Sequence, residues 1–406
     1  MAASVLLYVQ HLLGIGHLQR SLRLAGGLAN AGIKVTLVSG GDPIGLEAGE
    51  AFERIVQLAP IRASDPTFKN LVGQGNVPVD QNLRDARRRA LLDAFASARP
   101  DAVVIEAFPF GRRSFRFELD PLIEEARTRR PRPLIICSVR DVLIVPDDPQ
   151  RHQEIVDRIR KDFDCVLVHG DPAFIPLESS FPAATQIADR LIYTGYIVGP
   201  DQTDPIHGPV GTGEVLVSVG GGAVGYTLLS TALEARRGGC LATADWRLLA
   251  GPNLPDGDFE MLTRHLPERV VLERYRRDFT QILRRCRVSI SQAGYNTVVD
   301  ILAARARAVV VPFAAERETE QQLRAERLAA RGIVELVPEK ELSPARLALA
   351  IERAADHEAP TMAIDTDGAR RAARLMAVMI GSRSDGEGDL ALAQRGGIMH
   401  HERGLV

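Results

Sequence analysis

Short apolar runs alternate with longer amphipathic stretches along most of this chain. The first, Val5–Val9, is a continuous apolar run, as expected for a strand buried on both faces of a parallel sheet. A helical pattern follows to about Ala31 and stops at Gly32, and Lys34–Ser39 predicts the next strand. The chain therefore opens with a strand–helix–strand unit, the building block of parallel α/β sheets.

The same alternation continues in two halves. Further strands of the first half are predicted at Ile55–Leu58, Asp101–Glu106, Leu134–Ser138, Cys165–His169 and Leu191–Gly195. Those of the second half are predicted at Glu214–Val219, Trp246–Ala250, Val270–Leu272, Val288–Ile290, Ala308–Phe313 and Ile333–Val337. Residues 60–78 lack periodicity and predict a long surface loop.

A stretch rich in glycine and proline separates the halves, which indicates two domains. The predicted boundaries are 1–198 for the first Rossmann-like domain, 199–213 for a linker, 214–363 for the second Rossmann-like domain, 364–381 for a final helix and 382–406 for a disordered tail.

Composition excludes several classes of protein. The chain has 406 residues, 45% hydrophobic and 25% charged, which is typical of a globular protein long enough for two domains. Its net charge of −2 argues against nucleic-acid binding, and its four scattered cysteines form no disulfide or metal pattern. Without a visible signal peptide or an apolar run of roughly 18 residues, we expect a cytoplasmic location. The basic clusters at 84–89 and 127–132 read as solvated faces, or alternatively as a weak attraction to an anionic membrane surface.

The most informative stretch is Ser289–Asp300. It runs from an apolar strand through Ala293-Gly294 into a helix, so free backbone N–H groups and the positive helix end favour a phosphate. Asp300, about two turns along, could then accept hydrogen bonds from a ribose. The alternative is an ordinary strand–helix unit with an exposed aspartate.

A second glycine-rich turn, Gly220–Gly225, also lies between a strand and a helix. It matches G-x-G-x-x-G, but NAD binding requires an acid at the end of the next strand, and the nearest one, Asp245, precedes that strand. This disfavours NAD and leaves a diphosphate loop, whose members are Gly220, Gly221, Gly222 and Ala223.

The first domain carries a candidate base. Gly14 and Gly16 would let a substrate approach the backbone, and His17 begins the next helix, where a neutral imidazole could take a proton from a hydroxyl. A histidine that only caps or packs is the alternative reading, and His11 is a rival for the role.

Charged residues also gather at the predicted strand ends of this domain, where open α/β sheets bind ligands. They are Glu106, Arg112, Arg113, Arg140 and Asp141. They are candidates for contacts with an acceptor, although each alone could be a solvated loop charge. Two D-x-D triplets, Asp162–Asp164 and Asp365–Asp367, are poorly placed for a metal site, and no metal is predicted.

These motifs together resemble glycosyltransferase family 28, a GT-B family that includes the lipid II-forming N-acetylglucosaminyltransferase. Ser291-Gln-Ala-Gly-Tyr-Asn-Thr-Val-Val-Asp300 is similar to the family's Ser-Arg-Ala-Gly-x-x-Thr-x-x-Glu segment, whose terminal acid binds the donor ribose. Glu320-Gln321 resembles the run that contacts the donor sugar. The openings at Tyr8–His17 and Phe108–Arg113 resemble an uncharacterised branch of predicted glycosyltransferases.

The resemblance implies a GT-B fold, with the two domains facing each other across a cleft and the final helix crossing back to the first domain. It implies an inverting, metal-independent glycosyltransferase that moves a sugar from a UDP-sugar to an acceptor hydroxyl, with His17 as base and no cofactor. The implied donor contacts are the glycine loop, Ser291, Gln292, Ala293, Gly294, Asn296, Thr297, Asp300, Glu320 and Gln321.

Two rivals remain at this point. A UDP-sugar 2-epimerase would use carboxylates such as Glu106 and Asp141 and need no acceptor. A non-catalytic protein that only binds nucleotide sugars would need no base. The sequence also leaves TDP and GDP open as the nucleotide.

Overall fold

The computed structural model describes residues 2–43, 52–64, 70–145, 148–199, 210–220, 224–264, 266–313, 319–358 and 364–384. They form two compact units. Unit 1 comprises the described residues of Met1–Ile197 and Asp367–Val406, and unit 2 those of Val198–Thr366. The predicted linker lies mostly in residues 200–209, and the predicted tail mostly in 385–406, both outside the described residues.

Unit 1 is built on a parallel sheet. Its elements in chain order are β1 (Ser4–Val9), α1 (Gly16–Asn30), β2 (Lys34–Ser39), β3 (Arg54–Gln57), β4 (Arg62–Ala63), β5 (Leu71–Val72), α2 (Gln81–Ala98), β6 (Ala102–Glu106), α3 (Arg116–Thr128), β7 (Leu134–Arg140), α4 (Pro149–Asp162), β8 (Cys165–His169) and β9 (Leu191–Tyr193). The strand order is β3-β2-β1-β6-β7-β8-β9. Successive strands are added on one side of β1 up to β3 and on its other side from β6 onward, so the strand order reverses between β1 and β6. Such a switch point is where open parallel sheets bind ligands.

The apolar runs form the sheet because both of its faces are covered. One face packs Leu6 and Val103 against α2 and α3, and the other packs Leu7 and Val104 against α1. Local signals set the helix starts. Asp80 caps α2 by accepting the Leu83 N–H at 2.8 Å.

Residues 60–78, predicted to form a long surface loop, also contain two short strands that the prediction did not include. Arg62 pairs with Val72 and Ala63 with Leu71 in a small antiparallel ladder of β4 and β5. Two-residue strands are too short to show an alternating pattern, so they could not be predicted from sequence. Residues 65–69 lie outside the described residues.

Unit 2 repeats the plan. Its elements are β10 (Val215–Ser218), α5 (Tyr226–Gly238), β11 (Trp246–Leu249), α6 (Asp256–Thr263), β12 (Val270–Glu273), α7 (Phe279–Arg285), β13 (Val288–Ser291), α8 (Tyr295–Ala304), β14 (Ala308–Val310), α9 (Glu320–Ala329), β15 (Glu335–Leu336) and α10 (Pro344–Asp356). The parallel strands are ordered β12-β11-β10-β13-β14-β15, so the switch point lies between β10 and β13.

The last helix, α11 (Gly368–Ser384), belongs to unit 1. It packs against α1 closely enough that a Cβ added at Gly27 would lie 2.8 Å from the Ala369 Cβ. Its far end is fixed by Arg383, whose Nη2 donates to Asp164 Oδ1 at 2.9 Å. The helix extends past residue 381, so residues 382–384 are helical and not part of a disordered tail.

Candidate active site

Glu106 is the centre of the polar cluster at the switch point of unit 1. It is the last residue of β6 and is fully buried. Its Oε1 is 2.7 Å from His17 Nδ1 and also accepts a hydrogen bond from Arg20 Nη2. His17 and Arg20 reach the same carboxylate because residues three apart share one face of α1. Glu106 therefore holds the His17 ring, and its predicted contact with an acceptor stays a prediction.

The surroundings keep His17 neutral at neutral pH. Burial lowers the pKa of His17 to about 4, Arg112 and Arg140 act in the same direction, and Glu106 opposes them. Burial alone would raise the pKa of Glu106, but His17 and Arg20 outweigh it and lower that pKa. A neutral ring that donates Nδ1–H to a carboxylate keeps its Nε2 lone pair for a proton. The side chain is 25% exposed, so a substrate can reach it.

The rival histidine has a different environment. His11 is only 5% exposed, and its Nε2 is 3.1 Å from the Asp42 carbonyl oxygen. Its ring packs on Gly41, where an added Cβ would lie 2.4 Å from the ring. Of the two candidates, His17 alone combines a carboxylate partner with access to solvent.

The other charged residues of this edge divide into two groups. Arg112 and Arg140 are half-buried, and the Nε of each donates to a backbone oxygen, of Gln10 at 2.7 Å and of Val142 at 3.1 Å. Asp141 is fully buried, and its carboxylate accepts from the Val142 N–H and the Tyr196 hydroxyl. Its predicted contact with an acceptor stays a prediction, and these bonds favour a packing role.

A second buried histidine lies beside this cluster and was missed from sequence. His169 ends β8 with no exposed surface and bridges Ser138 Oγ at 2.9 Å and Thr194 Oγ1 at 2.8 Å. The Thr194 hydroxyl donates to a backbone carbonyl, so it accepts from Nδ1–H of His169, and Nε2 accepts from Ser138. The pattern offered one signal, a histidine at a strand end.

We expect this histidine to make stability depend on pH. Burial lowers the pKa of His169 to about 3, so between pH 6.5 and pH 3 the unfolded chain binds a proton that the folded chain excludes. Stability should therefore fall by about 1.4 kcal/mol per pH unit on acidification through this window for this histidine alone. Urea unfolding of His169→Gln should show a correspondingly flatter pH dependence. His357→Gln, at a histidine 55% exposed, is the control and should keep the wild-type slope.

The buried side chain of Arg87 connects the segments that follow β1 and β2. Arg87 has no exposed surface and donates to Glu118 through Nε and Nη2, to the Gly40 and Ala59 carbonyls through Nη1, and to Gln10 Oε1 through Nη2. All of its donors are thus engaged, which ties the ends of β1 and β2 together. The reading of residues 84–89 as a solvated face is wrong for Arg87.

In unit 2 the turn from β13 into α8 lies beside the switch point. α8 begins after Gly294, which has no side chain to cap it, and its first intrahelical bond runs from the Val298 N–H to the Gly294 oxygen at 3.0 Å. The backbone N–H groups of the first turn, which come before Val298, therefore have no acceptor within the helix. Such a helix start attracts an anion.

Side chains from the start of α9 hold the turn between β13 and α8 in place. Gln321 Oε1 accepts from the Ala293 N–H at 3.0 Å and from the Phe313 N–H at 3.1 Å. Arg324, fully buried, donates to the Ala293 oxygen at 2.9 Å and to Glu320 at 2.8 Å. Both polar groups of Ala293 are thus fixed from one helix turn. Sequence reasoning missed Arg324, although its spacing of four residues from Glu320 is that of a helical ion pair.

We expect Gln321→Leu to destabilise the protein by about 1–3 kcal/mol, because the Ala293 and Phe313 N–H groups lose their acceptor. Gln321→Glu keeps an oxygen at the same place and should unfold near the wild-type urea midpoint. Equal midpoints for all three proteins would contradict this role of Gln321.

The remaining predicted donor residues lie around the same turn. Ser291 is fully buried, Asn296 and Thr297 are half-buried on the first turn of α8, and Asp300 is 5% exposed in the middle of that helix. Glu320 is 3% exposed and paired with Arg324, and its predicted sugar contact stays a prediction.

The glycine loop is described only at its ends. Gly220 has φ +70, which favours glycine, and at Gly225 an added Cβ would lie 2.5 Å from Val219 Cγ2. Gly221, Gly222 and Ala223 lie outside the described residues.

A cavity of about 230 Å³ lies at the same edge of unit 2. Its walls include the first turn of α5 at Tyr226 and Thr227, the side chain of Gln292, and Phe313. Mixed apolar and polar walls at a strand-end edge are typical of a small-molecule site.

The described residues contain neither a candidate metal cluster nor a candidate membrane-spanning helix. No three His, Cys, Asp or Glu side chains there are grouped so that they could hold a metal ion. Nor does any helix in that part of the chain have the length and apolar character needed to cross a membrane.

Comparison with known proteins agrees with this geometry. Residues 216–376 match the glycosyltransferase family 28 C-terminal domain. An uncharacterized glycosyltransferase of Methanopyrus kandleri is 37% identical over 105 residues, which is 26% of this chain and 30% of that protein. The UDP-N-acetylglucosamine–N-acetylmuramyl-(pentapeptide) pyrophosphoryl-undecaprenol N-acetylglucosamine transferase of Nitrosococcus oceani is 44% identical over 64 residues, 16% of this chain and 18% of that one. The chain thus matches less than a third of the length of either relative.

Structural similarity extends over the whole chain. The structural alignment with the calicheamicin glycosyltransferase CalG4 covers 100% of both chains, with a TM-score of 0.57 at 20% identity. At this identity the likeness shows the fold alone, which is that of the GT-B proteins. The predicted fold class and the resemblance to family 28 are both confirmed.

Proposed function

Because residues 216–376 of this chain carry the glycosyltransferase family 28 C-terminal domain, we propose that the protein transfers a sugar from a UDP-sugar to an acceptor hydroxyl. The observation that carries this proposal is the pairing of His17 Nδ1 with Glu106 at 2.7 Å. It leaves a neutral imidazole with an accessible lone pair at a ligand-binding edge, which is what a general base requires.

The features that favour binding of the donor lie in unit 2. The start of α8 offers backbone N–H groups and a positive helix end to a diphosphate, and Ala293 is held rigidly beneath it by Gln321 and Arg324. Asp300, on the same helix, would accept from the ribose hydroxyls. The choice of UDP is supported by the similarity to the Nitrosococcus oceani transferase, whose name contains UDP-N-acetylglucosamine.

The proposed reaction is a single displacement. His17 Nε2 takes the proton of the acceptor hydroxyl while its oxygen attacks the anomeric carbon, and the bond from that carbon to the diphosphate oxygen breaks. The configuration inverts, and the leaving diphosphate is stabilised by the α8 N–H groups without a metal. Glu106 stays ionised and holds the imidazolium that forms.

The rivals have less support. A 2-epimerase needs carboxylates that reach the substrate, whereas Glu106 is buried against His17 and Arg20, and Asp141 is buried against Tyr196. A protein that only binds nucleotide sugars has no use for a paired, neutral histidine. Binding of a nucleotide sugar by such a protein would not depend on His17.

A thermal-shift screen tests the donor half of the proposal. The full chain is heated with UDP, TDP, GDP, ADP or NAD, with and without EDTA, because a ligand that binds the native state raises its melting temperature. We expect a shift with UDP that EDTA leaves unchanged and that Asp300→Asn reduces. A shift with NAD alone, or none with any nucleoside diphosphate, would overturn the donor site.

A further inference from the structure

Arg20 and His17 bind the same oxygen atom of Glu106. Arg20 lies three residues after His17 on α1 and is only 3% exposed. Its Nη2 donates to Glu106 Oε1, the atom that lies 2.7 Å from His17 Nδ1. The second oxygen of the carboxylate, Oε2, is buried and has no hydrogen-bond partner among the described residues. The charge of Glu106 is therefore offset at Oε1, where a permanent cation and a titratable ring meet.

A buried carboxylate and an imidazole in contact take up protons as a pair. Burial by itself favours the neutral form of Glu106 and so raises its pKa. Without a cation beside it, the pair would therefore tend to bind one additional proton. The hydrogen between Oε1 and Nδ1 then belongs to one of the two groups, and the other hydrogen of the ring is on Nε2. In that state Nε2 of His17 cannot accept a proton from a hydroxyl.

Arg20 supplies the positive charge that the additional proton would bring. Against the effect of burial, His17 and Arg20 lower the pKa of Glu106, and Arg112 acts in the same direction. Arg20 contacts the carboxylate directly, and the attraction between opposite charges weakens with distance. An ionised Glu106 can only accept at Oε1, so the ring hydrogen stays on Nδ1 and the Nε2 lone pair is kept.

The other charged groups around His17 come from three neighbouring strands. Burial lowers the pKa of His17 to about 4, Glu106 of β6 opposes it, and Arg112 after β6 and Arg140 of β7 add to it. His169 of β8 is neutral because burial lowers its pKa to about 3. All of these groups remain when Arg20 is replaced, so a change in the protonation of His17 reports the contribution of Arg20.

We propose that Arg20 is a positioning residue, whose cation keeps Glu106 ionised and thereby holds the His17 ring in the tautomer with an unprotonated Nε2. This inference rests on the proposed function, in which Nε2 takes the proton of the acceptor hydroxyl. Because Arg20 acts through Glu106, we expect it to set the pH range in which the base is competent.

Nitrogen-15 NMR of the full chain, labelled at its histidines, tests the proposal without any substrate. The His17 signals are those that are missing from the spectrum of His17→Gln, and the Nε2 signal reports whether that atom carries a hydrogen. We expect Arg20→Gln to raise the pH at which Nε2 loses its proton by about 1–3 pH units. Arg23→Gln removes a half-buried arginine one turn further along α1, and this matched control should keep the wild-type midpoint.

The midpoint separates positioning from a purely structural ion pair. A structural pair would lower the melting temperature of Arg20→Gln without moving the proton, so an unchanged midpoint in the folded variant would overturn the proposal. Arg20→Lys keeps the charge on a shorter side chain without the planar fork, and its midpoint should lie between those of wild type and Arg20→Gln. If Arg20→Gln does not fold, folded Arg20→Lys decides, and a wild-type midpoint then counts against the proposal.

A double variant tests whether Arg20 acts through Glu106. Arg20→Gln combined with Glu106→Gln leaves no buried carboxylate to hold the additional proton, so the midpoint should return towards wild type. A midpoint that stays raised in the double variant would contradict the route through Glu106.

The pH profile of sugar transfer is the second measurement. The acidic limb of kcat/KM should move to higher pH in Arg20→Gln together with the NMR midpoint, and a limb that does not move would contradict the proposal. If wild type transfers no sugar at any pH, the proposed function fails, whereas the NMR midpoints still decide the role of Arg20.

Discussion

Replacing His17 with alanine is expected to lower kcat by about 10²- to 10⁴-fold while UDP affinity and melting temperature stay near wild type. The imidazole is the base in the proposed transfer, and it lies in unit 1, whereas the residues proposed for the nucleotide lie in unit 2. Since His17 is 25% exposed and its loss leaves Arg20 to hold Glu106, the fold should tolerate the change.

The measurement is UDP release under saturating donor, together with UDP titration of the same protein. His357→Ala, at an exposed histidine of unit 2, controls for the removal of an imidazole as such and should retain full kcat. A His17→Ala protein with kcat within about threefold of wild type would exclude His17 as the base and favour a binding protein or another reaction.

The largest loss of stability is expected for Arg87→Met, about 3–5 kcal/mol. This change leaves the fully buried Glu118 carboxylate without its cation and removes the donors that hold Gly40, Ala59 and Gln10. The Tyr8 hydroxyl, which donates to Glu118 at 2.5 Å, cannot replace the lost charge.

Urea unfolding of Arg87→Met beside Arg88→Met checks this expectation. Arg88 is the next residue of the same helix and is 41% exposed, so its loss should change the free energy of unfolding by less than about 0.5 kcal/mol. Similar, small losses in both variants would mean that the Arg87 network contributes little to the native state.

The regular elements follow closely from the sequence. Lys34–Ser39 and Cys165–His169 are strands with the predicted bounds, because short segments rich in apolar, β-branched residues between helices are typical of buried parallel strands. The glycine turn after β13 also lies where predicted, since a glycine between a strand and a helix marks the strand end.

The buried charges could not be predicted. Arg87 lies in a basic cluster that reads as a solvated face, and its burial depends on Glu118, which is 31 residues away in sequence. Glu106 and Glu320 were predicted as ligand contacts, and the structure shows each of them buried against an arginine. Glu106 pairs with Arg20, which lies three residues after His17. Glu320 pairs with Arg324, four residues along the same helix. Whether such a side chain contacts a ligand or forms an ion pair within the protein depends on contacts between residues distant in sequence. The local sequence pattern does not contain those contacts.

The most direct test of sugar transfer is a ¹H NMR record of the full chain with UDP-sugars and a hydroxyl-bearing acceptor in the presence of EDTA. The account predicts that the α-anomeric signal of one donor is replaced by a β-anomeric signal of a glycosylated acceptor as UDP is released, and that His17→Ala abolishes the change. Appearance of the donor's 2-epimer without a glycosylated product, or an α-linked product, would contradict it.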